Sequence, residues 1–268
     1  MEAEVSESVV SAAALKSWRM RIEQSDRTFE GLKKLKLRGK ELGRPAPEIF
    51  HLTELQVLDL SPERQACLFY HLPEVPPAIA RLRNLRVLML DTNDLRELPP
   101  QLGHLSNLER LSLSNNLLTS LPDNLAHLRS LTSLHAANNE FQQIPECLYA
   151  MTSLRFLDFS DNSLLSLSER LACLERLESL LLFANLLRAL PSNIGLLTDL
   201  RCLWVGNNRL RSLPHSVTAL EKLDWGRLHT WSPALDGNPL KDPPLDVCKR
   251  GVTAIETYFR QRSDVTSQ

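Results

Sequence analysis

Leucine returns along this chain with a fixed rhythm. In the stretch LERLSLSNNLLTSLPDNLAHL, residues 108–128, leucine holds the first, fourth, sixth and eleventh places and asparagine the ninth. Leu121-Pro122 follows, then Leu125 and Leu128, and the next copy opens at Leu131, 23 residues on. Copies open at Leu32, Leu55, Leu85, Leu108, Leu131, Leu154, Leu177 and Leu200, with a ninth near Leu223, and the spacing from Leu85 onward is 23 throughout. A self-similar period of this length means stacked units, none of which can bury its apolar face alone.

Within each unit the fourth and sixth places are apolar while the third, fifth and seventh vary. Alternation with period two is the signature of a short strand, so the leucines point inward and the variable places face solvent. Successive strands are predicted to stack in parallel about 4.8 Å apart on a concave side. The residues after the asparagine return along the convex side as short helical or 3-10 pieces. The fold class expected is therefore α/β: a curved, horseshoe solenoid with a parallel concave sheet, closed by terminal helices.

Two further places carry structural chemistry. The ninth-place asparagines are Asn93, Asn116, Asn139, Asn162, Asn185, Asn208 and Asn238. An inward amide there can pair backbone groups that a turn would otherwise bury unpaired. Pro99, Pro122, Pro145, Pro191 and Pro214 fix φ where the convex segment starts; Ser168 replaces that proline in the sixth copy, a local loosening. The first repeat departs from the pattern, with Lys40 where asparagine belongs and Ala46 where proline belongs. The second has Glu63 at the asparagine place and seven surplus residues within PERQACLFYHLPE; the ninth has about seven extra within DWGRLHTWSPALDG. Phe69, Tyr70, Trp225 and Trp231 make both insertions rich in aromatics. The ninth is expected to fold back over the end of the array.

Residues 1–28 are read as an N-terminal helical cap or tail, 29–247 as the array of about nine repeats, and 248–268 as a capping helix and tail. Val9, Ala12, Ala13, Lys16 and Ile22, with Trp18 nearby, suggest an amphipathic helix that Ser8 could cap. At the other end Val247, Val252, Ile255, Tyr258 and Phe259 offer an apolar face to seal the last repeat, because a bare leucine ladder would aggregate.

The repeat resembles the leucine-rich repeat family over roughly residues 32–247. The ending GNPLKDPPLDVCKRGVTAIETYFRQ resembles that of the intracellular Ras-group members, the scribble, erbin and plant intracellular type. The resemblance implies a non-enzymatic protein–protein interaction module or scaffold in signal transduction. It leaves open a substrate-recognition or regulatory subunit of a phosphatase or ubiquitin-ligase complex.

Charge and cysteine content narrow the setting. The formal net charge is −1, which argues against nucleic-acid binding, since that needs a basic footprint. The five cysteines, Cys67, Cys147, Cys173, Cys202 and Cys248, form no CxxC pair, and no disulfide cluster flanks the array. With no basic-then-apolar leader and no apolar run of membrane-spanning length, a reducing, cytoplasmic setting and a monomer are expected.

With the register fixed, the concave face can be read residue by residue. Phe156, Leu181, Phe183 and Trp204 form an apolar patch across repeats six to eight, with Asp158 and His135 as polar neighbours. Solvent does not demand aromatics on an open sheet face, and interface anchors are enriched in them. These six residues are the candidate contacts for an unidentified protein partner, and Trp204→Ser is expected to leave folding intact. Lys34, Lys36 and Arg38 form a basic corner, either a contact for an acidic partner or a blunted sheet edge.

Catalysis finds little support. Ser112, His135 and Asp158 share one column on successive strands, which invites a serine-hydrolase reading. A triad also needs a bonded nucleophile and an oxyanion hole, and no G-x-S-x-G or glycine-rich turn supplies one. His51, His104 and His127 fall on the convex side without a completing ligand, so no metal is expected. No phosphate loop and no cofactor motif occurs. Cys202 and Cys248 read as packing residues rather than nucleophiles.

Overall fold

A computed structural model describes residues 11–24, 27–29, 31–63, 69–223, 225 and 234–266. Eight three-residue strands form one parallel sheet in strict sequence order: β1 (Lys34–Lys36), β2 (Val57–Asp59), β3 (Val87–Met89), β4 (Arg110–Ser112), β5 (Ser133–His135), β6 (Phe156–Asp158), β7 (Ser179–Leu181) and β8 (Cys202–Trp204). The predicted register holds without a slip: Leu35, Leu58, Leu88, Leu111, Leu134, Leu157, Leu180 and Leu203 lie opposite one another. All eight are fully buried. A one-residue shift would turn this leucine row to solvent, so the apolar pattern itself pins the register.

The return segments are single 3-10 turns on the convex side, such as Pro100–His104, Asp123–His127 and Glu146–Ala150. Proline before or at the first turn sets the entry: Pro99, Pro122 and Pro145 all sit at φ between −58° and −69°. Each turn drives one leucine inward, and Leu102, Leu125 and Leu148 are fully buried. Ser168 does not loosen its coil as expected. Its hydroxyl accepts the Arg170 N–H at 3.2 Å, a side-chain cap in place of the missing proline. Two turns approach so closely that only glycine fits: a Cβ on Gly103 would overlap the carbonyl of Asn124, and one on Gly195 that of Ser216.

The asparagine ladder behaves as expected. Asn116 Oδ1 accepts the Leu95 N–H of the preceding coil, while Nδ2 donates to Leu90 O at 3.0 Å and Leu113 O at 2.9 Å. Asn93, Asn139, Asn162, Asn185, Asn208 and Asn238 repeat the arrangement. The residue before each asparagine takes the left-handed conformation: Thr92, Asn115, Asn138, Asp161, Ala184 and Asn207 have φ of 51–60°. Gly237 holds that place in the last coil, where a Cβ would overlap Asn207 Oδ1.

Both insertions preserve the core. Leu72 takes the eleventh-place role in the second coil, donating its N–H to Asn93 Oδ1 at 2.7 Å, so the extra residues lie between Leu60 and Leu72. In the ninth coil Val205 N–H reaches Ala234 O and Asn207 N–H reaches Asp236 O, both at 2.7 Å, which puts the surplus between Leu223 and Ala234. Trp225 is buried against the core and its indole N–H donates to Leu203 O at 3.0 Å, covering the C-terminal edge of the sheet. Trp231 lies outside the described residues.

The ends are sealed. Helix α1 (Ala12–Arg19) begins after Ser11, and Leu15, Trp18 and Ile22 pack on the core. Ser8 and Val9 lie outside the described residues. Glu23 pairs antiparallel with Lys34 through two 2.8 Å hydrogen bonds, which closes the N-terminal sheet edge. Where the first repeat lacks its asparagine, a one-turn helix α2 (Lys40–Gly43) buries Leu42 instead. At the C-terminus α3 (Leu245–Cys248) and α4 (Val252–Thr266) bury Cys248 and Ile255, with Leu245, Val252 and Phe259 packed on the core. Val247 and Tyr258 are half-buried.

Candidate functional site

The open face of the sheet is built by the third, fifth and seventh places of each coil. Because strands are in register, Ser112, His135, Asp158, Leu181 and Trp204 form one row across five strands. Phe156 precedes Asp158 by two residues on the same strand, and its ring lies 4.6 Å from that of His135. The His135 imidazole contacts Ser133 Oγ at 3.0 Å. Burial first, and then the Arg110 charge, holds the His135 pKa below the usual imidazole value, against the opposing pull of Asp158 and Asp91. His135 is thus an uncharged, aromatic wall at neutral pH.

The apolar patch is less open than the sequence suggests. Leu181 is only 9% exposed, set between Asp158 and the larger Trp204 on the neighbouring strands. Trp204 is half-buried and leans on the core, so Trp204→Ser would cost packing. The expectation that it leaves folding intact is corrected on that ground. Phe156 and Phe183 are also half-buried, but unlike Trp204 they do not pack on the core cluster. The structure therefore brings Phe156, Asp158, His135, Phe183 and Trp204 to one surface, with Leu181 as its floor.

The basic corner is largely self-neutralised. Lys36 Nζ lies 3.2 Å from Asp59 Oδ2, Arg38 lies 3.3 Å from Glu63, and the Lys34 ammonium sits 4.7 Å over the Phe29 ring. One strand step brings Asp59 beside Lys36, which the spacing of the copies implied but a scan for like charges passed over.

The hydrolase arrangement is not assembled. The Ser112 hydroxyl donates to Asp91 Oδ1 at 2.7 Å, whereas His135 is engaged with Ser133. Asp158 Oδ1 accepts the Ser160 N–H at 2.9 Å. Burial pushes the thiols of Cys147, Cys202 and Cys248 up to about 11, so they are protonated and weakly nucleophilic near neutral pH. On the convex side His51 contacts Arg81 at 2.8 Å, and among the described residues no group of three His, Cys, Asp or Glu could hold a metal ion. No described helix is long and apolar enough to cross a membrane.

Sequence reasoning passed over several exposed apolar residues. Met20, Leu165 and Leu196 are exposed; Phe69, already singled out in the first insertion, is 76% exposed. Leu196 occupies the twentieth place of its copy, where other copies carry His51, His104, His127, Ala150 or Cys173. A tally of that convex position would have found it.

Comparison with known proteins bears on the same repeats. The family model described as a leucine-rich repeat region matches residues 55–184. No curated protein matches the chain. Among solved structures, a Leptospira interrogans leucine-rich repeat protein is 27% identical with a TM-score of 0.59, covering 90% of this chain and 61% of its own. An internalin from Listeria monocytogenes is 27% identical with a TM-score of 0.57, covering 67% of this chain and 49% of its own. The ectodomain of the Arabidopsis thaliana receptor kinase GASSHO1/SCHENGEN3, solved with CASPARIAN STRIP INTEGRITY FACTOR 2, is 26% identical with a TM-score of 0.58, covering 66% of this chain and 21% of its own. This chain thus spans less than two thirds of each of them. Domains of this fold are typically protein-binding modules and generally not catalytic. Period, strand register, asparagine ladder and matched repeats all agree: the chain has the leucine-rich repeat fold, and residues 55–184 match that repeat region.

Proposed function

We propose that this protein is a non-enzymatic interaction module that binds another protein on its concave face. The observation that carries this reading is the pair Phe156 and Phe183, aromatic side chains that stay partly exposed on an open sheet face and stand outside the packed core. Aromatics that cost solvation without supporting the fold are the usual anchors of an interface. His135 and Asp158 would supply the polar contacts, Trp204 and Leu181 a rigid apolar floor. That the Arabidopsis ectodomain was solved with a bound factor is consistent with use of this fold for recognition.

Among the described residues Cys147, Cys173, Cys202 and Cys248 are free thiols, which favours a reducing, cytoplasmic setting. The resemblance of the ending to Ras-group scaffolds favours a role in signalling, by analogy of fold.

The test is differential affinity capture with wild type and a Phe156→Ser, Phe183→Ser double variant, both shown to be folded by circular dichroism. Loss of specific partners in the variant alone supports the reading. Identical partner sets would end it.

A further inference from the structure

We propose that the segment bound on this face presents a lysine or arginine to Asp158, with an apolar side chain two to four residues away for Phe183 and Trp204. The proposal rests on the concave-face reading above and names the chemistry of its partner.

Three carboxylates stand on the strands or just beyond them, and their surroundings differ. Asp59 is taken by Lys36 at 3.2 Å. Asp91 Oδ1 accepts both the Ser112 hydroxyl at 2.7 Å and the Ser114 N–H at 2.8 Å. Asp158 receives the Ser160 N–H on Oδ1, and no lysine or arginine among the described residues pairs with it. It is also the carboxylate ringed by apolar surface: Phe156 two residues before it, His135 on the strand to one side, Leu181 on the other. A carboxylate half-buried among such groups keeps less water than one at the rim. Closure of a partner over it would leave an unpaired charge unless the partner brings a cation.

The same ring suits the stem of that cation. A guanidinium or ammonium bound to Asp158 can lie across the face of Phe156, which attracts it through the ring quadrupole. Its methylenes would cover Leu181. Strand steps of about 4.8 Å and a rise of about 3.3 Å per residue put Phe183 and Trp204 roughly 8–10 Å from Asp158. An extended segment covers that distance in two to four residues, also at about 3.3 Å each.

The experiment is selection of a displayed library of random twelve-residue peptides on the intact chain, with the chosen peptides then measured by fluorescence anisotropy. Asp158→Asn keeps an oxygen for the Ser160 N–H and removes only the charge. The expected result is enrichment of peptides with lysine or arginine near an apolar residue, binding at least tenfold more weakly to Asp158→Asn. Selection on Asp158→Lys should favour aspartate or glutamate at the same place. Peptides that bind wild type and Asp158→Asn equally, but lose the Phe156→Ser, Phe183→Ser variant, would overturn this inference and keep the concave-face reading. Peptides indifferent to all three variants would overturn both. Failure to enrich any binder would also overturn the inference.

Discussion

Six of the seven ladder asparagines follow a non-glycine residue with φ of 51–60°, and this place tolerates side chains unequally. Asparagine visits the left-handed region at little cost, and Asn115, Asn138 and Asn207 occupy it. Ala184 has no polar side chain to offset the strain, so Ala184→Gly is expected to stabilise the protein by about 0.5 kcal/mol, in the range for residues freed from an unsuitable φ. A denaturant titration that moves the midpoint down would contradict it. His135 gives the second residue-level expectation. Its folded pKa lies below the usual imidazole value of about 6.5, so the unfolded chain takes up the proton more readily. The contribution to stability is full above about pH 6.5 and is lost as pH falls through that value. Urea midpoints should therefore drop between pH 7 and pH 5, and His135→Gln should flatten that drop.

At the scale of elements, strands, return turns and caps follow from the sequence because each depends on a repeated local choice. The inward leucines, the asparagine and the proline recur, so one error in reading would have to recur in every copy. What escaped prediction depends on contacts across coils. The pairing of Lys36 with Asp59 and the burial of Leu181 arise from neighbours 23 residues away and show only when columns are compared. The capping hydrogen bond of Ser168 was hidden because a missing proline reads as a defect rather than a substitution. The exposed Leu196 had no alternation around it to mark it. The C-terminal cap makes a sharp test. Ile255 in α4 is fully buried, so Ile255→Asp would bury a charge without a partner and destabilise by about 3 kcal/mol or more. Hydrogen exchange should rise first in the 3-10 turn His215–Ala219, which packs against α4, and a uniform rise along the chain would refute the local reading.

At the scale of the whole molecule, the stack is held by neighbour-to-neighbour contacts, and its thiols report on that. Cys147 and Cys248 are buried with pKa values near 11, while Cys173 is exposed on a convex turn. Among these three, iodoacetamide on the native protein should modify Cys173 first, by peptide mass mapping. Early labelling of Cys147 would mean that the middle coils open readily.

The asparagine ladder also has a direction. Asn116 receives the Leu95 N–H and reaches Leu90 O, both in the coil before its own, and Asn93, Asn139, Asn162, Asn185, Asn208 and Asn238 likewise reach back toward the N-terminus. A chain leaving the ribosome would present each new amide to a coil already made. Growth from the N-terminal end then leaves no asparagine side chain waiting for its partners, only one backbone N–H per coil such as that of Leu95. Assembly from the other end would leave a whole side-chain amide waiting at every step.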